Sequence, residues 1–114
     1  MKVLKVLVVE DDVPVQTAFA RILRGKTDVL LADDVEEARS LYRDHPDIFA
    51  VLMDGTLVSG STVELVRELR RTFSGTIVAV SGSEHTNLAL VAAGADSYWT
   101  KPGSPADLLR LLGV

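Results

Sequence analysis

Polar side chains that could act together follow short apolar runs at five points of this sequence. Carboxylates follow three runs, a hydroxyl the fourth and a lysine the fifth: Glu10, Asp11 and Asp12; Asp33 and Asp34; Asp54; Ser81; Lys101. Clustered carboxylates cannot all stay ionised without a cation, and oxygen ligands favour a hard ion such as Mg²⁺. A carboxylate can also attack phosphorus if a metal ion and a lysine neutralise the transferred group and a hydroxyl hydrogen-bonds it. These residue types therefore point to Mg²⁺ binding and phosphoryl chemistry, provided that the fold brings them together.

The apolar runs have the length and composition of buried β-strands. They cover residues 4–9, 29–32, 48–53, 76–80 and 97–100, and β-branched residues are frequent in them. Between the runs, apolar residues recur at helical spacing, as in Val15, Ala18, Phe19, Ile22 and Leu23 before Gly25. The same spacing predicts helices around residues 35–42 and 65–73, and it recurs more weakly in Leu88, Val91 and Ala92 before Gly94. Ser104 and Pro105 are typical first residues of a fifth helix, through residue 112.

Five alternations of strand and helix with short connections predict an α/β fold with a parallel sheet covered on both faces. We expect a flavodoxin-like, doubly wound, five-stranded parallel sheet of order 2-1-3-4-5 with five helices. Ligands bind such sheets at the carboxyl ends of the strands, where the strand order reverses. This order would place Asp54, after the third strand, beside Glu10 and Asp11, after the first.

Length and composition exclude several other functions. With 114 residues, 47% of them hydrophobic, we expect one domain over residues 1–114 with a genuine core. The absence of cysteine excludes disulfides, thiolate metal sites and cysteine nucleophiles. A net charge of −4 argues against direct nucleic-acid binding. The apolar runs are far shorter than the roughly 20 residues of a membrane helix, so we expect a cytoplasmic protein without a membrane partner.

Four segments resemble the receiver domain of response regulators, the phosphoacceptor domain of two-component phosphorelay signalling. They are residues 6–12 (VLVVEDD), 52–54 (LMD), 80–82 (VSG) and 93–102 (AGADSYWTKP), and together they span essentially the whole chain. The resemblance implies a signalling phosphoprotein rather than an enzyme. Such a domain takes a phosphoryl group from a histidine kinase or a histidine phosphotransfer protein in a Mg²⁺-dependent reaction. It then changes conformation and signals by protein contact.

The resemblance also implies roles for individual residues. Asp54 would be the phosphoacceptor, with Lys101 neutralising the phosphoryl group and Ser81 hydrogen-bonding it. Ser81 and Tyr98 would form the conformational switch, and the Lys101-Pro102 bond would be cis. The Mg²⁺ ligands would be Glu10, Asp11, Asp54 and the backbone carbonyl of Thr56.

Some positions depart from the pattern of that family. Val58 and Thr62 replace a proline and a glycine after the acceptor, so Gly60 is the candidate for the turn in that loop. Gly103 replaces a bulky apolar residue, and Trp99 is unusually large beside Tyr98. These changes bear on the loop after Asp54 and on the face of the fourth helix, fifth strand and fifth helix, where such domains usually meet partners.

Two other functions remain as alternatives. One is a receiver-like protein-binding module that is not phosphorylated. The other is a small aspartate-based phosphatase, because residues 54–60 (DGTLVSG) resemble a phosphatase motif; however, Leu52 stands where that motif has its nucleophilic aspartate. We expect no output domain in this chain, so the signal would pass to a separate protein or to missing parts of a longer chain. A phosphorylation-dependent dimer is one form that this contact could take.

Two acidic residues favour helix starts rather than chemistry. Asp12 is expected to cap the first helix. Asp34 is expected to cap the second, with Glu37 three residues later completing a capping box.

Overall fold

The computed structural model describes residues 3–114, in which five strands alternate with five helices. The elements are β1 (Lys5–Val9), α1 (Val13–Leu23), β2 (Asp28–Ala32), α2 (Val35–Asp44), β3 (Ile48–Asp54), α3 (Thr62–Arg70), β4 (Thr76–Ser81), α4 (Glu84–Ala93), β5 (Ser97–Thr100) and α5 (Pro105–Leu112). All strand pairs are parallel, and the strand order is β2-β1-β3-β4-β5. The predicted fold class, strand order and element count are confirmed.

Alternate residues of the central strands face two apolar cores, one on each side of the sheet. The core beneath α2, α3 and α4 takes from the sheet Leu7, Val9, Val51, Met53, Ile77 and Ala79. The core beneath α1 and α5 takes Val6, Val8, Ala50, Leu52, Val78 and Val80. Successive strand residues point to opposite faces, so a strand that is covered on both sides must be apolar throughout. Polar side chains are thereby directed to the strand ends.

The predicted apolar face of α4 is only partly confirmed, because of its three residues only Val91 packs against the core. Leu88 and Ala92 were expected to face the core, but both are exposed, whereas Asn87 and Leu90 are buried. The helix is apolar on nearly all sides, so the spacing of its apolar residues does not select one face.

Two smaller differences concern α1 and α3. Ala18 is exposed, although its spacing placed it on the inner face of α1. Phe73 is buried as expected, but it lies beyond the end of α3, where its N–H still reaches the carbonyl of Leu69 at 2.7 Å. The side chain therefore joins the core from a turn rather than from the helix.

The predicted cap of α2 is present. The Asp34 carboxylate accepts a hydrogen bond from the Glu37 N–H at 2.6 Å. The Glu37 carboxylate in turn accepts from the N–H of Asp33, at 3.0 Å, one residue earlier than a standard capping box requires.

The predicted side-chain cap of α1 is wrong. Asp12 occupies the N-cap position, but within residues 3–114 its carboxylate caps no backbone N–H of the helix. An N-cap side chain normally accepts from the second or third helical residue. Here the second is Pro14, which has no N–H to donate.

Trp99 and Gly103 compensate for each other in size. The Trp99 ring is buried edge-to-face against Phe19, with ring centroids 6.1 Å apart, and its Nε1 donates to the Ser104 carbonyl at 2.9 Å. A Cβ atom on residue 103 would lie 2.8 Å from this ring, so only glycine fits beside it. The Lys101-Pro102 bond is cis, as predicted.

Within residues 3–114, no helix combines the length and apolar character that crossing a membrane requires.

Candidate functional site

An acidic cluster lies at the carboxyl ends of β1 and β3, which are neighbours in the sheet. Glu10 and Asp11 directly follow β1, and Asp54 is the last residue of β3. One carboxylate oxygen from each of the three residues lies within 4.8 Å of the others. The predicted strand order thus brings together side chains that are 43 or more residues apart in the sequence.

Lys101, just beyond β5, reaches into this cluster. Its Nζ donates to Glu10 Oε1 at 2.7 Å and to Asp54 Oδ1 at 3.2 Å. Glu10 and Asp54 are only 1% and 4% exposed. Lys101 therefore pairs with two buried carboxylates, and because the partly exposed Asp11 carboxylate lies beside them, negative charge is left in excess.

Burial and mutual charge shift the acid–base properties of the cluster. Burial raises the pKa of the Glu10 carboxyl from 4.5 to about 7; the hydrogen bond from Lys101 opposes this increase, and the Asp54 carboxylate adds to it. Burial alone lowers the pKa of Lys101, but the hydrogen bond to Glu10 and the charge of Asp54 outweigh it, so the pKa lies above 10.5. The lysine is cationic at neutral pH, and the acidic cluster would gain from a second cation.

Backbone and amide groups hold the acidic pair in place. The Asp11 carboxylate accepts from the Val58 N–H at 3.0 Å, and the second Glu10 oxygen accepts from the Asp12 N–H at 3.3 Å. The Gln16 side chain on α1 donates to the Glu10 carbonyl at 2.6 Å. The carboxylates are therefore oriented by their own loops and by α1.

Ser81, the last residue of β4, lies on the other side of Asp54. Its hydroxyl oxygen accepts from the Ser83 N–H at 3.1 Å, and its carbonyl accepts from the Lys101 N–H at 2.9 Å. A hydroxyl that accepts one hydrogen bond still has its own proton to donate. Ser81 therefore offers a hydroxyl donor at the carboxyl end of β4, the strand next to β3.

Thr56 and Tyr98 lie outside the cluster of side chains. Thr56 is exposed in the loop after Asp54, as a role through its backbone carbonyl would allow. Tyr98 is 37% exposed on the edge strand β5, and its side chain makes no hydrogen bond or ring contact with the residues that the structure describes.

A short turn shapes the loop that follows Asp54. Leu57 and Gly60 pair as an isolated antiparallel bridge, so Gly60 lies at the turn as predicted. The Ser59 hydroxyl accepts from the Val35 N–H at 3.2 Å and ties the loop to α2. Val58, where the family has proline, is 98% exposed; its backbone N–H, which proline lacks, is the donor to Asp11.

The donor set fits a hard divalent cation. All three cluster members offer carboxylate oxygens, the ligand type that Mg²⁺ prefers, and their excess negative charge needs compensation. Leu52, by contrast, is fully buried in the core beneath α1 and α5. The position at which the phosphatase motif has its nucleophile is therefore apolar and turned away from the cluster.

Sequence reasoning missed two polar residues that contact this site from helices. Gln16 of α1 binds the Glu10 carbonyl, and Asn87 of α4 donates from its side-chain amide to the Ser81 carbonyl at 3.2 Å. The sequence does contain one indication for Asn87. It lies three residues before Leu90, so the two side chains share one face of α4, and a buried Leu90 implies a buried Asn87.

Comparison with known proteins identifies a matching family. The sequence model of the response regulator receiver domain family matches residues 6–112. The chain is 32% identical to the phosphate regulon transcriptional regulatory protein PhoB of Pseudomonas aeruginosa, over 94% of this chain and 49% of that protein. It is 30% identical to the alkaline phosphatase synthesis transcriptional regulatory protein PhoP of Bacillus subtilis, over 91% and 45% of the two chains. The chain thus spans about half the length of these curated relatives.

Solved structures share the fold. The Vibrio cholerae chemotaxis protein CheY4 superposes with a TM-score of 0.87 at 22% identity, and the match covers 98% of both chains. A probable two-component system response regulator/GGDEF domain protein also gives a TM-score of 0.87, at 27% identity, over 96% of this chain and 48% of that one. The family match over residues 6–112 shows that the chain belongs to the receiver domain family of response regulators, which are signalling domains of two-component systems.

Proposed function

We propose that this chain is a phosphoacceptor receiver that takes a phosphoryl group onto Asp54. The observation that carries the proposal is the convergence of Glu10, Asp11, Asp54 and Lys101, in which a carboxylate nucleophile has a metal-binding pair on one side and an ammonium group on the other. Such a site supplies both the nucleophile and the charge neutralisation that phosphoryl transfer needs.

In the proposed reaction, a carboxylate oxygen of Asp54 forms a bond to phosphorus while the nitrogen–phosphorus bond of a donor phosphohistidine breaks. The imidazole nitrogen leaves with the bonding electron pair. Lys101 offsets the negative charge of the arriving phosphoryl oxygens, and the Ser81 hydroxyl donates a hydrogen bond to one of them. The donor would be a histidine kinase or a histidine phosphotransfer protein.

Mg²⁺ is the proposed cofactor. Asp11, Asp54 and the backbone carbonyl of Thr56 would hold the ion, with Glu10 contributing through water. When bound, Mg²⁺ supplies charge neutralisation to the phosphoryl oxygens. The role of the protein is to keep these ligands in place, through the hydrogen bonds to Asp11 and Glu10 described above.

The proposed output is a conformational change read by another protein or by another part of a longer chain. A phosphorylated site would bind Ser81 and Lys101 differently from a free one, and only such differential binding can shift the balance between two conformations. Ser81 and Tyr98 are the proposed switch residues, and a dimer is one form that the output could take.

The test is to incubate the protein with a small phosphodonor and Mg²⁺ and to follow its intact mass. We expect the wild type to gain one phosphoryl group that is lost slowly by hydrolysis. Asp54→Ala should gain none, whereas the matched control Asp33→Ala, which removes an acidic residue after β2, should behave as the wild type. An unmodified wild type would favour the non-phosphorylated binding module. Donor turnover that persists in Asp54→Ala would favour a phosphatase.

A further inference from the structure

Asn87 is a buried polar residue whose position has no explanation in the apolar core around it. Its side chain is 0% exposed on the inner face of α4. The amide nitrogen donates to the Ser81 carbonyl at 3.2 Å, whereas the amide oxygen has no hydrogen-bond partner among residues 3–114. A buried acceptor without a hydrogen-bond partner destabilises the folded state. A residue of similar shape without polar atoms would avoid this cost.

The carbonyl that Asn87 contacts joins two parts of the site. The same Ser81 oxygen accepts from the Lys101 N–H at 2.9 Å. This one atom at the end of β4 therefore contacts both α4 and the segment that follows β5. The backbone of Ser81 carries the hydroxyl proposed to bind the phosphoryl group. A constraint on this carbonyl therefore fixes the Ser81 backbone and, with it, the Cα–Cβ bond from which the hydroxyl projects; the Ser83 N–H contacts the hydroxyl oxygen itself, at 3.1 Å.

The neighbouring residue of α4 fixes the helix against the acceptor loop. A Cβ atom added to Gly55, directly after Asp54, would clash with the Thr86 methyl group and would lie 3.3 Å from the Ser81 Cβ. Only a glycine lets the first turns of α4 approach so closely. Asn87 thus lies on a helix that packs closely against the loop carrying Asp54.

We propose that Asn87 is a positioning residue for phosphoryl transfer: by its amide hydrogen bond to the Ser81 carbonyl, it holds the Ser81 hydroxyl in the direction that binds the transferred group. This inference rests on the proposed function of Asp54. It assigns to α4 a direct part in setting the geometry of the reacting groups, beyond its contribution to the core.

Asn87→Leu tests this role, because leucine has a similar shape and lacks the donor. The Ser81 carbonyl keeps its hydrogen bond from Lys101, and the unpaired amide oxygen disappears, so the thermal midpoint should stay equal or rise. The rate of phosphorylation by a small phosphodonor with Mg²⁺, followed by intact mass, should fall about tenfold. Asn87→Ala gives the same comparison if leucine proves too large. His85→Ala, on an exposed residue of the same helix turn, is the matched control and should keep the wild-type rate.

A double-mutant comparison separates positioning from a merely structural role. In a Ser81→Ala background, where no hydroxyl remains to be oriented, Asn87→Leu should change the rate by less than about twofold. An unchanged rate in Asn87→Leu, or an equal loss in the Ser81→Ala background, would overturn the inference while leaving the proposed function intact. A rate that falls only in step with a lower thermal midpoint would overturn it too. If the wild type itself forms no adduct, the proposed function fails, and this inference fails with it.

Discussion

Glu10 is the most deeply buried carboxylate of the acidic cluster, and its charge is the hardest to keep. Lys101 neutralises part of the negative charge, but its ammonium group is shared between Glu10 and Asp54. Burial raises the pKa of Glu10 to about 7 in the protein without a metal ion. The folded state therefore holds this proton more tightly than the unfolded chain does.

The stability of the metal-free protein should consequently depend on pH through Glu10. Between the unfolded pKa of 4.5 and the folded pKa of about 7, the folded state binds more protons than the unfolded state. Its free energy of unfolding therefore falls as pH rises through this window, and the decrease due to Glu10 is on the order of 2 kcal/mol. Urea unfolding at pH 5 and pH 8, with a chelator present, measures it. Glu10→Gln should lack this part of the decrease; a variant with the same pH dependence as the wild type would contradict the assignment.

Residue types at the strand ends were enough to predict which side chains form the cluster. Glu10, Asp11, Asp54 and Lys101 were predictable because they follow apolar runs whose carboxyl ends meet at one edge of a parallel sheet, and the expected strand order places the first run beside the third. Gln16 and Asn87 were not predictable in the same way. They act from helices, so their contacts depend on which face turns inward, and in α4 the apolar residues surround the helix too evenly to indicate that face.

At the scale of elements, the close packing of α4 on the acceptor loop is the feature that most constrains the site. It depends on Gly55, since the Thr86 methyl group occupies the space where a side chain would begin. Threonine is stiff about its first side-chain torsion, so the methyl group cannot move away freely.

Gly55→Ala should therefore lower the free energy of unfolding by roughly 1–3 kcal/mol through overpacking. The double variant Gly55→Ala, Thr86→Ser removes the methyl group that the new Cβ meets, and it should recover most of the loss. Denaturant unfolding of the two variants, with Thr86→Ser alone as control, measures both the loss of unfolding free energy and its recovery. Wild-type stability in Gly55→Ala would show that α4 packs less closely than the structure has it.

The mutual packing of Trp99 and Gly103 could not be predicted by considering each position alone. Each departs from the family's pattern when considered alone, yet the indole ring fills the space beside residue 103. The sequence contains both residues, but only the three-dimensional structure shows that one change compensates for the other. Asp12 makes the same point, because Pro14 removes a donor that the expected cap would have used.

At the scale of the whole molecule, the alternation of strand and helix patterns was sufficient to predict a parallel sheet with helices on both faces, but alternation alone does not select the strand order 2-1-3-4-5. Two cores cover the sheet, and the carboxylates collect at one end of it, where they repel one another in a desolvated site. The acidic cluster therefore lowers the stability of the metal-free fold, and a cation that binds there should stabilise the entire chain.

Mg²⁺ should raise the thermal midpoint of the protein through this linkage. At a Mg²⁺ concentration one hundred times the dissociation constant, the gain in unfolding free energy is about 2.7 kcal/mol. Asp11→Ala removes a proposed ligand and should abolish most of the gain, whereas Asp33→Ala should retain it. A shift of equal size in Asp11→Ala would place the ion elsewhere on the protein.

Asp54 is proposed to form a covalent acyl phosphate, and chemical trapping tests this most directly. Borohydride reduces an aspartyl phosphate to homoserine, and peptide mass spectrometry then identifies the modified position. After incubation with a phosphodonor and Mg²⁺, we predict homoserine at position 54 of the wild type and at no other aspartate. Homoserine at another position, or none in a protein that has gained a phosphoryl group, would contradict the account.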